Sequence, residues 1–326
     1  MTERFAALLL GTVLDRLVGD PDWLWRRLPH PVALIGAAIA FLERRLNRPA
    51  LSPARRRRGG IAAAALLVLG SIATGLLLQG LFDALLGPLA FLGEALVLGL
   101  LLAGNSLAQH VRAVREALEA EGPEGGRRAV AMIVGRDPDL LDAAGICRAA
   151  IESLAENASD GFVAPWLFFL AFGLPGLLAY KAVNTADSMI GHLNERYRDF
   201  GWASARLDDL LNLAPARLTA ALFALAAARR SCWRAAAETW RIARRDAGLH
   251  RSPNAGWPES AAAGALGLAL GGPRRYGALA VEAPKLHAEG RFEATPADIG
   301  AALGLYAALC DLVLGLSVLG AVLVLP

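Results

Sequence analysis

The stretch Ile61-Ala-Ala-Ala-Ala-Leu-Leu-Val-Leu-Gly-Ser-Ile-Ala-Thr-Gly-Leu-Leu-Leu-Gln-Gly-Leu-Phe82 decides the fold class, because it runs for 22 residues without a charged side chain. About 20 apolar residues suffice for a helix to cross a bilayer. Ala84–Ala103 and Ala301–Pro326 are similarly apolar, whereas Phe162–Tyr180 and Leu213–Ala228 are shorter and contain proline or polar breaks. The whole chain is 55% hydrophobic and 19% charged, which favours a membrane protein over a soluble domain. The sequence predicts an all-α, polytopic integral membrane protein.

The N-terminal segment Phe5–Val18 is also apolar but is interrupted by Asp15 and Arg16. It lacks the small-residue cleavage site of a secretory signal peptide. We therefore expect a retained membrane segment, with a signal peptide as the alternative.

Arginine clusters beside the apolar stretches indicate topology, because short basic loops stay on the cytoplasmic side. This rule places three segments in the cytoplasm: 19–60, 104–160 and 229–300. A full crossing by Phe162–Tyr180 would put the basic loop 181–212 on the opposite side. A re-entrant or broken pair of helices at 162–228 would keep that loop inside, and we expect this version. The predicted location is the cell membrane, with the site facing the cytoplasm.

Two polar regions, 105–160 and 229–300, are interpreted as cytoplasmic helical elaborations of one membrane-embedded domain that covers 1–326. Gly122-Pro123 predicts a turn between two helices in the first region. The segment 136–139 is expected to cap the helix that follows it. Alanine and leucine dominate the apolar stretches, so helix is favoured throughout and no strands are expected.

An acidic face precedes the apolar run that starts at Phe162. Glu152, Glu156 and Asp160 follow one another at i, i+4 and i+8, so a helix would carry them on one side. Like charges at this spacing repel, which indicates a metal ion, a cationic amine or another counterion. Mg²⁺ takes one or two protein carboxylates and leaves positions for water and phosphate. Asn157 adds a neutral donor and acceptor, and a solvated helix end is the structural alternative.

A second polar cluster closes the N-terminal segment. Gly19 and Pro21 predict a turn that presents Asp15 and Asp20 at the end of the first apolar segment. The alternative is an Asx-type turn that caps the next helix.

A third cluster follows Tyr180. At helical spacing, Lys181, Asn184, Asp187 and His192 lie along one side of a helix whose other side is apolar. The alternative is an interfacial helix with a snorkelling lysine.

A fourth cluster is the loop 251–260, which enters an Ala/Gly-rich segment. Its small residues allow a ligand to approach the backbone, and N–H groups at a helix start suit phosphate. The candidate substrate-binding residues in this loop are Arg251, Ser252, Asn254 and Glu259. The alternative is a structural turn with Trp257 anchored at the membrane interface.

Some function classes are excluded by pattern. The sequence has no P-loop, no dinucleotide-binding glycine motif and no HExxH zinc motif. Its basic residues lack interleaved aromatic residues and lie at the ends of apolar stretches, which argues against nucleic-acid binding.

Taken together, the blocks resemble the adenosylcobinamide-phosphate synthase family (CobD/CbiB) of cobalamin biosynthesis, over nearly the whole chain. Ala186 stands where that family commonly has leucine. The resemblance rests on Asp15-Arg-Leu-Val-Gly-Asp-Pro21, His30-Pro-Val32, Glu152-Ser-Leu-Ala-Glu-Asn157, Ser159-Asp-Gly161, Lys181-Ala-Val-Asn-Thr185, Asp187-Ser-Met189, Asn194-Glu-Arg-Tyr197, Arg206-Leu-Asp-Asp209, Pro215-Ala-Arg-Leu-Thr219, Ser252-Pro-Asn-Ala-Gly256 and Leu270-Gly-Gly-Pro273.

The resemblance implies an enzyme that forms an amide between the f-side-chain carboxylate of adenosylcobyric acid and aminopropanol or its O-phosphate. It also implies ATP as co-substrate, Mg²⁺, and activation of the carboxylate as an acyl phosphate. We expect Glu152, Glu156 and Asp160 to bind metal or amine, and Asp187 to act as metal ligand or base. Lys181 and Arg251 would neutralise phosphate.

The remaining candidates have supporting roles. The asparagines would position polar groups, and the two N-terminal aspartates would complete the site; His192, Ser252 and Glu259 are further substrate-binding candidates. The alternative function is a non-enzymatic membrane sensor of the related AmpE-like type, with a transporter third. A homo-oligomer or contact with other late corrinoid-pathway enzymes is compatible with the small residues on the apolar faces.

Overall fold

A computed structural model describes residues 2–135, 138–272, 274–276, 279–281 and 283–324. The chain is nearly all helical, which confirms the predicted all-α class. A π-helix, Ala158–Val163, joins the seventh and eighth helices. The helices are α1 (Thr2–Leu17), α2 (Asp22–Trp25), α3 (Pro31–Leu46), α4 (Pro53–Leu86), α5 (Ala90–Leu101), α6 (Gly104–Val130), α7 (Ala143–Asn157), α8 (Ala164–Ile190), α9 (Trp202–Leu211), α10 (Leu213–Arg230), α11 (Trp233–Asp246), α12 (Gly256–Leu266) and α13 (Pro296–Leu323).

In the part of the chain that the structure describes, four short strands are an exception to the predicted all-α class. β1 (Leu270–Gly271) pairs with β4 (Lys285–Leu286), and β2 (Arg274–Tyr276) pairs with β3 (Leu279–Val281), both antiparallel. Each strand has two or three residues, which is too short for an alternating pattern to appear in the sequence.

Among the described residues, three stretches contain helices long and apolar enough to cross a membrane: 53–130, 143–190 and 296–323. A fourth is added if α9 and α10 count as one broken span. These helices are consistent with the predicted multi-pass membrane protein. The 34 residues of α4 would extend for about 51 Å, more than the roughly 30 Å of hydrocarbon.

The apolar stretch Ala84–Ala103 does not form one continuous helix, which agrees with the interruption that Gly87-Pro88 predicts. Gly87 and Pro88 end α4 and form a 3₁₀ turn, after which α5 has only 12 residues. Such a helix is about 18 Å long and does not match the hydrocarbon thickness by itself.

Two compact units divide the chain, although the sequence analysis treated it as one domain. The first unit comprises Met1–Ala103, Ala164–Asn212 and Leu316–Pro326, and the second comprises Gly104–Val163 and Leu213–Gly315. Both units are therefore assembled from segments that are far apart in the sequence.

In the first unit, α8 packs against α1, α3, α4, α5 and α9. Part of its core is a cluster of Ile39, Ala63, Ile190 and Phe200. The end of the segment 191–201 lies against α4 and the end of α8, whereas most of its other side chains are exposed. A Cβ at Gly60 would overlap the carbonyl oxygen of Phe200, and one at Gly201 would overlap that of Ile190.

Two helices are broken at glycine–proline positions that the sequence analysis had marked. In α8, Gly173 has a φ of 66° and a proline follows two residues later. In α6, Gly122 has a φ of 67° and Pro123 follows directly. Positive φ is readily adopted by glycine, and proline is disfavoured inside a helix. These breaks are confirmed, while the re-entrant path at 162–228 stays a prediction.

In the second unit, α10, α11 and α12 pack against one another, and α7 contacts both α6 and α12. The start of α7 corrects the predicted cap at 136–139. Asp142 is the capping residue, since its Oδ1 accepts a hydrogen bond from the Gly145 N–H at 2.7 Å. Of the predicted cap, Arg136 and Asp137 lie outside the described residues.

Candidate functional site

The predicted site residues fall into two groups, one in each unit. The first unit carries Asp15, Asp20, Lys181, Asn184, Asp187 and His192. The second unit carries Glu152, Glu156, Asn157, Asp160, Arg251, Ser252, Asn254 and Glu259.

In the first unit, His30 connects the N-terminal turn to α3. Its Nδ1 accepts a hydrogen bond from the Val32 N–H at 3.1 Å and so caps the helix. Its Nε2 lies 3.5 Å from Oδ1 of Asp20. Because Nδ1 is the acceptor, the neutral ring carries its proton on Nε2, facing the carboxylate. The predicted turn therefore presents Asp20 to an imidazole that the sequence analysis had quoted but had not assigned to the site.

Lys181 belongs to the same surroundings. Burial lowers the pKa of His30 most; the Asp20 carboxylate raises this pKa, and the Lys181 ammonium lowers it. Lys181 is only 8% exposed. The Lys181 ammonium of the third cluster is therefore close enough to act electrostatically on the imidazole beside Asp20 of the second cluster. Such a set can bind an anion and transfer a proton.

A buried hydrogen-bond network lies further along α8. The Asn184 amide donates to Oδ1 of Asp208 at 3.2 Å, and the Asn212 amide donates to Oδ2 at 3.0 Å. The Tyr180 hydroxyl donates to Oδ1 of Asn212 at 2.9 Å. Asp208 and Asn212 had not been assigned to the site. The available signal was their i, i+4 spacing, with Asp208 inside the block Arg206–Asp209 already quoted for the family resemblance.

Asp187 is half-buried on α8 and lies close enough to Asp208 for their charges to interact. Asp15 is buried on α1, 3% exposed. His192 is exposed and lies beyond the last residue of α8, Ile190. The helical register that aligned His192 with the α8 residues is therefore wrong, because the helix ends before it.

In the second unit, the three carboxylates of the acidic face have different environments. Glu152 is buried, and its Oε1 accepts a hydrogen bond from the Gly271 N–H at 2.8 Å. Glu156 is exposed and Asp160 is half-exposed. The α-helix ends at Asn157, so Asp160 lies in the π-helix, a conformation often found at functional sites.

Among the residues that the structure describes, no three His, Cys, Asp or Glu side chains are arranged to hold a metal ion. Metal binding by Glu152, Glu156 and Asp160 therefore stays a prediction. The accessible carboxylates of Glu156 and Asp160 fit Mg²⁺ bound by one or two protein ligands, with phosphate and water in the other positions.

The loop 251–260 is organised by its own serine. The Ser252 hydroxyl accepts hydrogen bonds from the N–H groups of Asn254 and Ala255 at 3.2 and 3.3 Å. The Ser252 N–H donates to Nδ1 of His250 at 3.0 Å. These bonds give Ser252 a structural role in the turn, and its substrate-binding role stays a prediction; Arg251 is exposed.

Several buried polar groups collect around α12 and the π-helix. Glu259 is 1% exposed, and its Oε1 lies 3.7 Å from Nε2 of His250. Asn254 is also buried. The hydroxyls of Ser159 and Ser260 are buried without a hydrogen-bond partner among the described residues. Buried polar groups normally have partners. These two hydroxyls are therefore candidate functional groups, and the sequence patterns had not assigned them to the site.

Comparisons with known proteins agree with the resemblance seen in the sequence. Proteins named "Cobalamin biosynthesis protein CobD" are similar over almost the full length. The one from Brucella anthropi is 54% identical over 316 residues, covering 97% of this chain and 96% of that protein. The one from Sinorhizobium fredii is 52% identical over 324 residues, covering 99% and 98%. The one from Rhodobacter capsulatus is 46% identical over 308 residues, covering 93% of each. No solved structure matches.

The family model described as "CobD/Cbib protein" matches residues 8–306 of the 326-residue chain. This chain belongs to the CobD/CbiB protein family.

Proposed function

We propose that the protein is an amide-forming enzyme of cobalamin biosynthesis. It joins aminopropanol, or its O-phosphate, to the f-side-chain carboxylate of adenosylcobyric acid. The observation that carries this proposal is the similarity over 97% of the chain to a protein named for cobalamin biosynthesis. The clustered polar side chains in both units support an enzyme, since a sensor has no need of them.

The chemistry has two steps. A carboxylate oxygen of the corrinoid attacks the γ-phosphorus of ATP, so that an acyl phosphate forms and ADP leaves. The amine nitrogen then attacks the acyl carbon, the C–O bond to phosphate breaks, and the nitrogen loses a proton. Such a reaction needs positive charge beside phosphate and a base beside the amine.

In the first unit, Lys181 is the proposed partner of phosphate or carboxylate, since its ammonium is held at a buried position. Asp187 is the proposed base for the amine, with Asn184 as a positioning residue. His30 and Asp20 are proposed to move or hold a proton at Nε2 of the imidazole, which stays neutral near pH 7 because burial lowers its pKa. Asp15 and His192 keep their proposed substrate-binding role.

In the second unit, Glu156 and Asp160 are the proposed ligands of Mg²⁺. Glu152 is proposed to bind the metal or the amine. When bound, Mg²⁺ would offset the charge of the phosphate groups. Arg251 is the proposed contact for the remaining phosphate charge. The further proposed substrate contacts are Asn157, Ser252, Asn254 and Glu259.

We further propose that the enzyme resides in the cell membrane with its site on the cytoplasmic side, where ATP is available. The arginine-rich segments beside the apolar helices support this orientation.

The test uses the purified full chain in detergent with adenosylcobyric acid, aminopropanol phosphate and Mg-ATP. The expected products are adenosylcobinamide phosphate, detected by mass spectrometry, and an equal amount of ADP. Lys181→Met should lower the rate at least tenfold, whereas the matched control Lys285→Met should not. If the protein forms neither product, the proposed amide-forming activity is wrong. If Lys181→Met has the wild-type rate, the proposed role of Lys181 in the site is wrong.

A further inference from the structure

An apolar groove of about 640 Å³ lies within the first unit, between α3, α4, α5 and α8. Its size is in the range of small-molecule pockets. Side chains from all four helices line it, among them Leu34, Phe41, Leu66, Val97 and Leu178. Because α4 is a candidate membrane span, the groove lies along a helix that would run through the hydrocarbon layer.

A group of arginines, here called the cationic collar, lies where α3 ends and α4 begins. All are exposed, and none has a carboxylate partner in the part of the chain that the structure describes. Glu43, the acid nearest in sequence, is buried and already binds Arg196 at 2.9 Å. The collar consists of Arg44, Arg45, Arg48, Arg55 and Arg58.

The collar and the groove are continuous. The guanidinium of Arg45 lies 5.1 Å from the ring centroid of Phe41, which lines the groove. On α4, Arg55 precedes the lining residue Leu66 by eleven residues, about three turns, so the two lie on the same side of the helix. One end of the apolar groove therefore lies beside exposed arginines that have no carboxylate partner among the described residues.

We propose that the groove binds an acyl chain of an anionic phospholipid whose phosphate lies against the collar. Charge complementarity favours this ligand, because a zwitterionic lipid would leave the net positive charge of the collar unmatched. A free phosphate could bind the collar but would leave the apolar groove empty. The lining residue Pro31 directly follows His30, which is assigned to amide formation. The test measures lipid binding alone, so the proposal stands or falls independently of the proposed reaction.

The experiment titrates the delipidated full chain in a non-ionic detergent with dioleoyl phosphatidylglycerol or dioleoyl phosphatidylcholine and counts bound lipids by native mass spectrometry. The two lipids share their acyl chains and differ in net charge. We expect one phosphatidylglycerol to remain bound at concentrations where phosphatidylcholine does not. Equal binding of both lipids, or retention of detergent alone, overturns the proposal.

The groove is tested with Gly70→Trp. Gly70 lines the groove and has open space at its Cβ position, so an indole there would fill the slot without a backbone clash. Gly80→Trp is the matched control, since Gly80 also has open space on α4 but does not line the groove. The first variant should lose the bound lipid and the second should keep it. Undiminished binding by Gly70→Trp overturns the groove as the site.

The collar is tested with the double variant Arg45→Gln/Arg55→Gln. Each arginine near an anionic surface strengthens binding about fivefold, so the loss of two should weaken phosphatidylglycerol binding about 30-fold. The control Arg234→Gln/Arg244→Gln removes two exposed arginines of α11 and should leave the bound lipid in place. A similar loss of phosphatidylglycerol binding in both double variants would show non-specific attraction to arginines. It would overturn the proposal that the cationic collar binds the lipid phosphate. Thermal unfolding in detergent confirms that every variant is folded.

Discussion

Replacing Glu152 with glutamine separates the two roles that this carboxylate combines, one in the fold and one in the proposed chemistry. In the fold, its Oε1 accepts the Gly271 N–H at 2.8 Å and ties α7 to β1. An amide oxygen of the same size can accept that bond, so Glu152→Gln should cost no more than about 1 kcal/mol. The negative charge is lost, however, and amide formation should fall at least about tenfold because the variant no longer offsets metal or amine charge.

The alanine variant gives the scale of the structural role. Glu152→Ala removes the acceptor altogether and leaves the Gly271 N–H unpaired next to a space. A hydrogen bond to a charged group contributes about 1.5–3 kcal/mol. For a chain of 326 residues, this loss corresponds to a fall in the unfolding temperature of roughly 2–4 °C. Thermal unfolding in detergent measures it, beside the ADP-release rate at saturating substrates.

Asp246 provides the matched control, because it is also a buried carboxylate of the second unit that accepts a backbone N–H. Its Oδ2 accepts the His287 N–H at 2.7 Å. Asp246→Asn should affect stability but keep the specific activity of the folded protein. A wild-type rate for the Glu152→Gln enzyme would refute the proposal that the negative charge of Glu152 offsets metal or amine charge during amide formation. An unchanged unfolding temperature for Glu152→Ala would refute the energetic reasoning.

Three further substitutions test the first unit, each by thermal unfolding in detergent. The folded state lowers the pKa of His30 below its ordinary 6.5, so the unfolded chain binds the proton first and stability should fall as pH drops through 6.5. His30→Asn keeps an N-cap acceptor without titrating and should flatten that dependence; equal pH profiles would contradict this. Gly60→Ala should destabilise by about 1–3 kcal/mol, since its Cβ would overlap a backbone carbonyl, whereas Gly70→Ala, with open space, should not. Tyr180→Phe should cost about 1–2 kcal/mol, because the buried Asn212 oxygen loses its donor; an unchanged unfolding temperature would refute this.

The fold class could be predicted because its determinants are local. The run Ile61–Phe82 lies inside α4, and the glycine–proline breaks at Gly122 and Gly173 follow from the backbone preferences of those residues alone. The strands at 270–286 escaped prediction because each has too few residues for a periodic pattern, so their pairing depends on the surrounding packing.

For the candidate site, too, local relations could be predicted from the sequence and contacts between separate helices could not. Helical spacing correctly grouped Lys181, Asn184 and Asp187 on one helix, since that relation is local. It could not reveal that His30 lies near Lys181, about 150 residues further along, or that Asp208 accepts the Asn184 amide. Those contacts depend on how separate helices pack.

The tight contact between Gly60, Gly201 and their neighbouring carbonyls has a practical consequence for finding which side of the membrane each loop faces. A reporter tag inserted between Phe200 and Gly201 would force apart backbone segments that already touch. Its signal would then describe a damaged protein. The break at Gly122 has open space around it, so a tag fused there can report the sidedness of the 104–160 segment in an intact molecule.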